Sequence, residues 1–400
     1  MFSKKVLALV MTATLAIGII SGCSSQKSSS SSGGSNTGKT VIKIASQSPL
    51  SGGSATQGEA IKLGAQLAIE DQKAKFAKKG FDLQFVPYDD QADPKKGVAN
   101  AQLIASDSSI LAIVGHMNSG VAIPSSETYE KYSIPMVSPA NTATEVTDRK
   151  LKVTNRVVAR DDFQGPAGAE YAVKTLKAKK IFIIQDKTAY GSGLADAFKG
   201  AAQKLGAEIV GFEGITVGEK DFNGVLNQVA EKKPDMIYFG GLYAEGGLIV
   251  KQAHDKGIDI PFMGGDGLDS SSFVEIAGEA VKNAYLTSVA GDTTKTDEGK
   301  KFVEEYKSKF NKNIEGYSAY AYDSAGVILK ALSDAIDNNG GKLPTRAQVR
   351  DAVRAIKDYQ GVVTKVGFDD KGDNNFAKIF IYKFNKAAYP ASLVGEISKK

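Results

Sequence analysis

The sequence has 400 residues, of which 42% are hydrophobic and 24% charged, and a formal net charge of +5. The chain is long enough to build two hydrophobic cores, and a charge this small argues against nucleic acid as a partner. A single cysteine excludes an intrachain disulfide framework.

The N-terminal segment, residues 1–22, has the layout of a signal peptide. Two lysines precede the apolar run Val6 to Ile20, which is short for a transmembrane helix. Small residues then stand directly before Cys23, the only cysteine, which resembles a lipobox where the bacterial signal peptidase cuts after the sulfur has been acylated. We therefore predict an extracytoplasmic lipoprotein anchored through Cys23. An ordinary signal peptide or an uncleaved anchor helix is the alternative.

Residues 23–40 are rich in serine and glycine and are predicted to be a flexible tether. Removal of residues 1–22 deletes two lysines and no acid, so the net charge falls from +5 to +3.

From residue 41 onward, short apolar runs alternate with amphipathic stretches, as is typical of βα units. A first series of predicted strands comprises Val41–Ala45, Leu83–Val86, Ile110–Val114 and Pro135–Val137. A second series comprises Lys180–Ile184, Glu208–Phe212, Met236–Gly240 and Pro261–Gly264. Two such series predict an α/β protein with two doubly wound lobes and a cleft between them.

An eight-stranded βα barrel is the structural alternative to two lobes. The stretches Gly361–Phe368 and Ala377–Tyr382, with a turn between them, predict a terminal hairpin. A hairpin ending is not typical of a barrel, so two lobes are favoured.

Polar residues at the carboxyl ends of the first series are candidate ligand-binding residues, because open α/β sheets bind ligands there. Ser119 and Thr142 each combine a hydroxyl with backbone N–H groups that can hold a carboxylate. Ala140 adds a carbonyl that can accept from an ammonium group, and Asn141 lies in the same turn. The alternatives are structural: Ser119 as an N-cap, and Thr142 in a capping box with Glu145.

The second series offers a carboxylate and apolar side chains at its strand ends. Asp266 lies in a glycine-flanked turn and can pair with the ammonium group of a zwitterion. Tyr190, Leu242 and Tyr243 follow two other strands and can line a side-chain pocket. An Asx-turn or N-cap for Asp266, and core packing for the tyrosines, are the alternatives.

Enzyme motifs are missing from the sequence. It contains no P-loop, no G-x-S-x-G and no G-x-G-x-x-G after the first strand. The two histidines, His116 and His254, are far apart and have no metal-ligand spacing around them. We predict a binding protein with no catalytic residue, no cofactor and no metal, and we interpret His116 as structural.

Several motifs, in collinear order over residues 41–400, resemble those of one family. They are IVGHMNSG at Ile113, SPANTAT at Ser138, DKTAYGSGLADAF at Asp186, YFGGLYAEGG at Tyr238 and FMGGDG at Phe262. The chain resembles the branched-chain amino-acid-binding proteins of ABC importers, which have the type I periplasmic-binding-protein fold.

This resemblance implies a receptor for a free amino acid, most of all Leu, Ile or Val, that delivers it to an ABC permease and its ATPase subunits. It implies that Ser119 and Thr142 bind the ligand carboxylate, that Ala140 and Asp266 bind the ammonium group, and that Tyr190 forms an aromatic wall. It also implies a monomer whose chain passes between lobes through a multi-strand hinge. The expected segments are 41–158 and 289–360 in the first lobe, and 159–288 and 361–400 in the second.

Three positions depart from the family pattern. Gln57 stands where an aromatic residue is common, Leu242 replaces a tyrosine, and Asp266 is shorter than the glutamate of some members. Another amino acid or a small amide is therefore an alternative ligand. A sensor that reports to a membrane signalling protein is the alternative to transport.

Overall fold

The computed structural model describes residues 38–398. The predicted signal peptide, the lipidation site Cys23 and nearly all of the tether lie outside the described residues. Within residues 38–398, no helix is long and apolar enough to cross a membrane.

The described chain alternates strands and helices. The strands are β1 (Thr40–Ser48), β2 (Phe81–Asp89), β3 (Ile110–Gly115), β4 (Met136–Ser138), β5 (Thr154–Arg156), β6 (Lys180–Gln185), β7 (Glu208–Gly214), β8 (Met236–Gly240), β9 (Phe262–Gly264), β10 (Ala284–Ser288), β11 (Tyr359–Gln360), β12 (Lys365–Val366), β13 (Lys378–Lys383) and β14 (Ser392–Ser398). The α-helices are α1 (Ala55–Lys78), α2 (Pro94–Ser106), α3 (Ser119–Lys131), α4 (Glu145–Asp148), α5 (Asp161–Glu170), α6 (Ala189–Lys204), α7 (Asn223–Lys232), α8 (Tyr243–Asp255), α9 (Ser271–Ala277), α10 (Asp297–Phe310), α11 (Ser318–Asn338) and α12 (Arg346–Arg354).

The first lobe is built on a parallel sheet with strand order β2-β1-β3-β4-β5. Every residue of β3 is buried, as expected for a strand covered on both faces by helices. Helix α1 packs against α11, and α12 packs near β3, so the late helices return to this lobe. The parallel arrangement brings the carboxyl ends of β1, β3 and β4 to one edge.

The second lobe is built on a seven-stranded sheet with order β14-β13-β10-β9-β8-β6-β7. Strands β6 to β10 are parallel, whereas β13 runs antiparallel to both β10 and β14. Helix α5 packs on α6 and β10, which places it in this lobe. The prediction of an α/β protein with two parallel-sheet lobes is confirmed.

The predicted terminal hairpin is reduced to a single antiparallel bridge, between Phe368 and Asn374, and its two strands do not otherwise pair. Strands β11 and β12 pair only with each other, and β13 pairs with β10 and β14. Val366 and Phe368 pack in the core of the first lobe, so the first strand after residue 361 to join the second sheet is β13. Strand β13 instead forms a hairpin with the next strand, β14, and pairs on its other side with β10.

Strands β5, β10, β11 and β14 were not predicted, and β5 and β10 show why. Strand β5 has three residues, all of them polar, and β10 carries two polar residues at its end. All residues of both strands are buried. Strand β5 pairs with β4, and β10 pairs with β9. Neither stands out as an apolar run, which was the criterion for a strand.

Asp323 on α11 ties this helix to the turn between β11 and β12. Its buried carboxylate accepts hydrogen bonds from the backbone N–H groups of Val362, Val363 and Thr364, at 2.7, 3.1 and 3.1 Å. These three donors have no other acceptor among the described residues.

Substitution Asp323→Ala should lower the free energy of unfolding by about 2–4 kcal/mol, because it leaves three half-buried N–H groups without an acceptor. Asp334→Ala, on the exposed side of the same helix, removes only an ion pair with Lys330 and should cost less than about 0.5 kcal/mol. Urea denaturation measures both. Equal midpoints for the two variants would contradict the role of Asp323.

Candidate functional site

Hydrogen bonds join the loops that follow β3 and β4 at the edge of the first sheet. Ser138 Oγ accepts from the N–H groups of Ala140 and Asn141, at 3.1 and 2.8 Å, and donates to the His116 carbonyl at 3.0 Å. The Asn141 side chain accepts from the His116 N–H and donates to the Met117 carbonyl at 2.7 Å. The side chain of Asn141, a predicted ligand-binding residue, is thus engaged within the loops.

Ser119 and Thr142 lie together, as expected of neighbouring strand ends. Ser119 is the first residue of α3, and its Oγ accepts from the Ala143 N–H at 3.4 Å. Both residues are buried. Among residues 38–398, the Thr142 N–H and the Ala140 carbonyl have no hydrogen-bond partner. The same holds for the N–H groups of Ser119 and Gly120 at the start of α3, whereas Val121 donates to the Asn118 carbonyl.

The capping box considered for Thr142 does not form. Helix α4 begins at Glu145 with Thr144 as its N-cap, and no side chain caps it. The Thr142 N–H is therefore not occupied by Glu145 and stays available at this edge.

Asp266 contributes a buried carboxylate from the second lobe, in a short 3₁₀ turn after β9. It accepts hydrogen bonds from Gln164 Nε2, Tyr190 Oη and Tyr317 Oη, at 2.8, 2.9 and 2.7 Å. Burial raises the pKa of Asp266, and these three hydrogen bonds lower it. Tyr317 precedes α11 of the first lobe, so its hydrogen bond joins the two lobes.

Tyr190 supports this turn through its hydroxyl group. Its hydroxyl donates to Asp266 and accepts from the Gly267 N–H at 3.0 Å. The aromatic side chain predicted as a wall therefore also fixes the direction of the Asp266 carboxylate.

Asp161, the first residue of α5, was missed by the sequence analysis. Its side chain is 2% exposed, and neither carboxylate oxygen has a hydrogen-bond partner in the described part of the chain. Burial raises the pKa of Asp161 well above its ordinary value, and the charge of Asp266 raises it further, while Thr142 and Arg156 lower it. The Asp161 N–H donates to the Thr142 carbonyl at 2.9 Å, so this acid lies beside the first-lobe loop.

Its signal in the sequence was an acidic pair, Asp161 and Asp162, after a strand. That strand is β5, which was too short and polar to be recognised. Nothing in the sequence other than their residue types indicated that Gln164 and Tyr317 would contact Asp266.

The remaining predicted residues lie where the lobes meet. Gln57 is fully buried, and its Nε2 donates to the carbonyls of Asp269 and Asp266 at 3.2 and 3.4 Å, while its Oε1 has no partner within residues 38–398. The Tyr243 hydroxyl accepts from the Thr56 N–H at 3.2 Å. Leu242 is half-buried and packs against cores of both lobes.

His116 is buried within the first lobe. Its Nδ1 lies 3.5 Å from Asp90 and its Nε2 lies 3.2 Å from the Tyr129 hydroxyl. No group of three or more His, Cys, Asp or Glu side chains in residues 38–398 is arranged to hold a metal ion.

Taken together, the site has two chemically distinct sides. Hydroxyl and backbone N–H groups at Ser119 and Thr142 offer donors, which suit a carboxylate. The carboxylates of Asp161 and Asp266, with the Ala140 carbonyl, offer acceptors, which suit an ammonium group. Such an arrangement matches the two charged groups of a free amino acid.

Comparisons with known proteins identify the family of the chain. The family model described as "Periplasmic binding protein" matches residues 41–388. The Leu/Ile/Val-binding protein homolog 2 of Brucella abortus (strain 2308) is 33% identical over 345 residues, which is 86% of this chain and 91% of that relative.

Two solved structures are similar over nearly their full lengths. A leucine-binding protein from Thermotoga maritima has a TM-score of 0.80 and 28% identity, covering 89% of this chain and 98% of that one. A branched-chain amino acid transporter substrate-binding protein from Streptococcus pneumoniae, in complex with isoleucine, has a TM-score of 0.80 and 28% identity, covering 88% and 99%. Because the family match spans most of the sequence and the Brucella relative is covered almost end to end, the chain belongs to the periplasmic binding protein family.

Proposed function

We propose that this protein is the substrate-binding component of an ABC importer and captures a free amino acid, Leu, Ile or Val, between its lobes. The observation that carries the proposal is Asp161, a buried carboxylate without a hydrogen-bond partner in residues 38–398, which lies near Asp266 and next to Thr142 with its free N–H. A buried carboxylate without a partner is costly, so this site favours a ligand that supplies a cation.

In the proposed complex, the ligand carboxylate binds Ser119 and Thr142. The ammonium group lies between Asp161, Asp266 and the Ala140 carbonyl. Charge-assisted hydrogen bonds of this kind are about twice as strong as neutral ones, and they select α-amino acids over simple acids or amines.

The preference for branched aliphatic side chains rests on Tyr190, Leu242 and Tyr243. Leucine has three more carbons to bury than alanine, worth about 2.4 kcal/mol, or about fiftyfold in affinity. Relatives named for Leu, Ile and Val support the same choice. The free Oε1 of Gln57 favours the alternative of a more polar amino acid or a small amide.

We propose capture by closure of the two lobes. Residues 157–160, 289–296 and 367–377 connect elements of different lobes and are the proposed hinge segments. Ligand bound to both lobes stabilises the closed form over the open one.

The family description, periplasmic binding protein, agrees with an extracytoplasmic location. We propose further that Cys23 carries a lipid anchor and that the partners are a permease and its ATPase subunits. A membrane sensor would use the same closed form. Deleting the gene and measuring uptake of labelled leucine separates the two, since unchanged uptake favours the sensor.

Isothermal titration calorimetry tests the ligand class. We expect strong binding of Leu, Ile or Val, with alanine about fiftyfold weaker, because its side chain buries less apolar surface. The bound amino acid should be recovered unchanged, as expected of a binding protein. No heat with the three branched ligands, together with strong binding of a polar amino acid or an amide, would overturn the proposed specificity.

Substitution Asp161→Asn tests the ammonium site. It should weaken leucine binding by about 10- to 150-fold, because a hydrogen bond to a charged group contributes about 1.5–3 kcal/mol. Folding should be preserved, since the change removes a buried charge that has no partner. Asp162→Asn is the matched control: this neighbour is exposed and pairs with Arg160, and its loss should alter binding less than about twofold. If Asp161→Asn bound leucine as tightly as the parent, the assignment would fail.

A further inference from the structure

We propose that Arg156 is a positioning residue for the carboxylate side of the site, a role that rests on the proposed function. It lies at the end of β5 and is completely buried. Its guanidinium group holds the loop Asn141–Ala143 in the conformation that presents the Thr142 N–H to the ligand.

The three carbonyl groups of this loop all accept hydrogen bonds from the same side of it. Arg156 Nη1 donates to the carbonyls of Asn141 and Ala143, both at 2.9 Å. The carbonyl between them, that of Thr142, accepts from the Asp161 N–H at 2.9 Å. Three successive carbonyls are thus held by groups of β5 and α5.

The orientation of the Thr142 N–H follows from the peptide plane. The Asn141 carbonyl and the Thr142 N–H belong to one trans peptide unit and point in opposite directions. Because Arg156 holds the carbonyl, the N–H points away from Arg156, and it has no partner within residues 38–398. Without this anchor, the peptide unit can rotate and the donor is lost to the ligand.

Arg156 is itself held from the opposite side by the segment between β12 and β13. Its Nε donates to Asp373 Oδ1 at 2.6 Å, its Nη2 bonds Thr147 Oγ1, and its backbone N–H donates to the Gly372 carbonyl at 2.9 Å. Arg160 also pairs with Asp373, at 3.0 Å. The carboxylate-binding loop is therefore tied, through one guanidinium group, to a segment that passes between the lobes.

The test compares leucine with leucinol, which keeps the ammonium group and the side chain but lacks the carboxylate. A lysine in Arg156→Lys keeps a positive charge near Asp373. It lacks the planar guanidinium group, which bonds Asp373 and the carbonyls of Asn141 and Ala143 at the same time. Calorimetry gives the leucine affinity, and displacement of leucine gives the leucinol affinity. We expect about a tenfold loss or more for leucine and less than about a threefold change for leucinol.

Arg354→Lys is the matched control. Arg354 also bonds backbone carbonyls near β5, including those of Thr154 and Asp370, both at 2.7 Å, but it does not contact the loop. This variant should lose stability while keeping the parental ratio of the two affinities. A merely structural Arg156 would behave like Arg354, so an unchanged ratio in folded Arg156→Lys overturns the inference.

If Arg156→Lys fails to fold, Asp373→Asn replaces it, because this change removes the negative charge that pairs with Arg156 while keeping the shape of the side chain. We then expect the same selective loss for leucine, and an unchanged ratio again overturns the inference. The proposed function fails separately, when the parent protein itself binds none of Leu, Ile and Val.

Discussion

Two buried carboxylates without a cation of their own are the feature on which the rest of this structure depends. Asp266 is satisfied by three hydrogen bonds, whereas Asp161 has none in the described residues. The positive charge of Arg156 lowers the pKa of Asp161. The Arg156 guanidinium group itself bonds Asp373 and the carbonyls of Asn141 and Ala143. Burying an ionised acid is costly, so the closed site as described is best completed by a ligand that brings a positive charge.

This constraint explains why the two sides of the site come from different places in the fold. Donors come from the carboxyl ends of β3 and β4, and acids from α5 and the turn after β9. The lobes also contact each other directly, since the Tyr317 hydroxyl donates to Asp266 and Thr56 Oγ1 lies 2.9 Å from Ser272 Oγ. These contacts lower the cost of closing, and a ligand then adds its own contacts to both lobes.

Much of this arrangement could be predicted from the sequence because it depends on local patterns. Apolar runs identified the long strands, and small polar residues after them identified Ser119, Thr142 and Asp266. Asp161 could not be found in this way, because β5 is only three polar residues long and is a strand through its pairing with β4. The terminal hairpin was assigned to the wrong strands, because β13 pairs with the later strand β14 and with the remote strand β10 instead of with the segment before it. Which side chains hold a loop, as Asn141 and Arg156 do, likewise depends on tertiary contacts.

The most direct measurement is a crystal structure of the protein with leucine bound. We predict that the ligand carboxylate lies within hydrogen-bond distance of Ser119 and the Thr142 N–H. We also predict that the ammonium group lies between Asp161 and Asp266, with the Arg156 bonds to the Asn141 and Ala143 carbonyls kept. A ligand bound in the reverse direction, or with its ammonium group away from Asp161, would contradict this prediction.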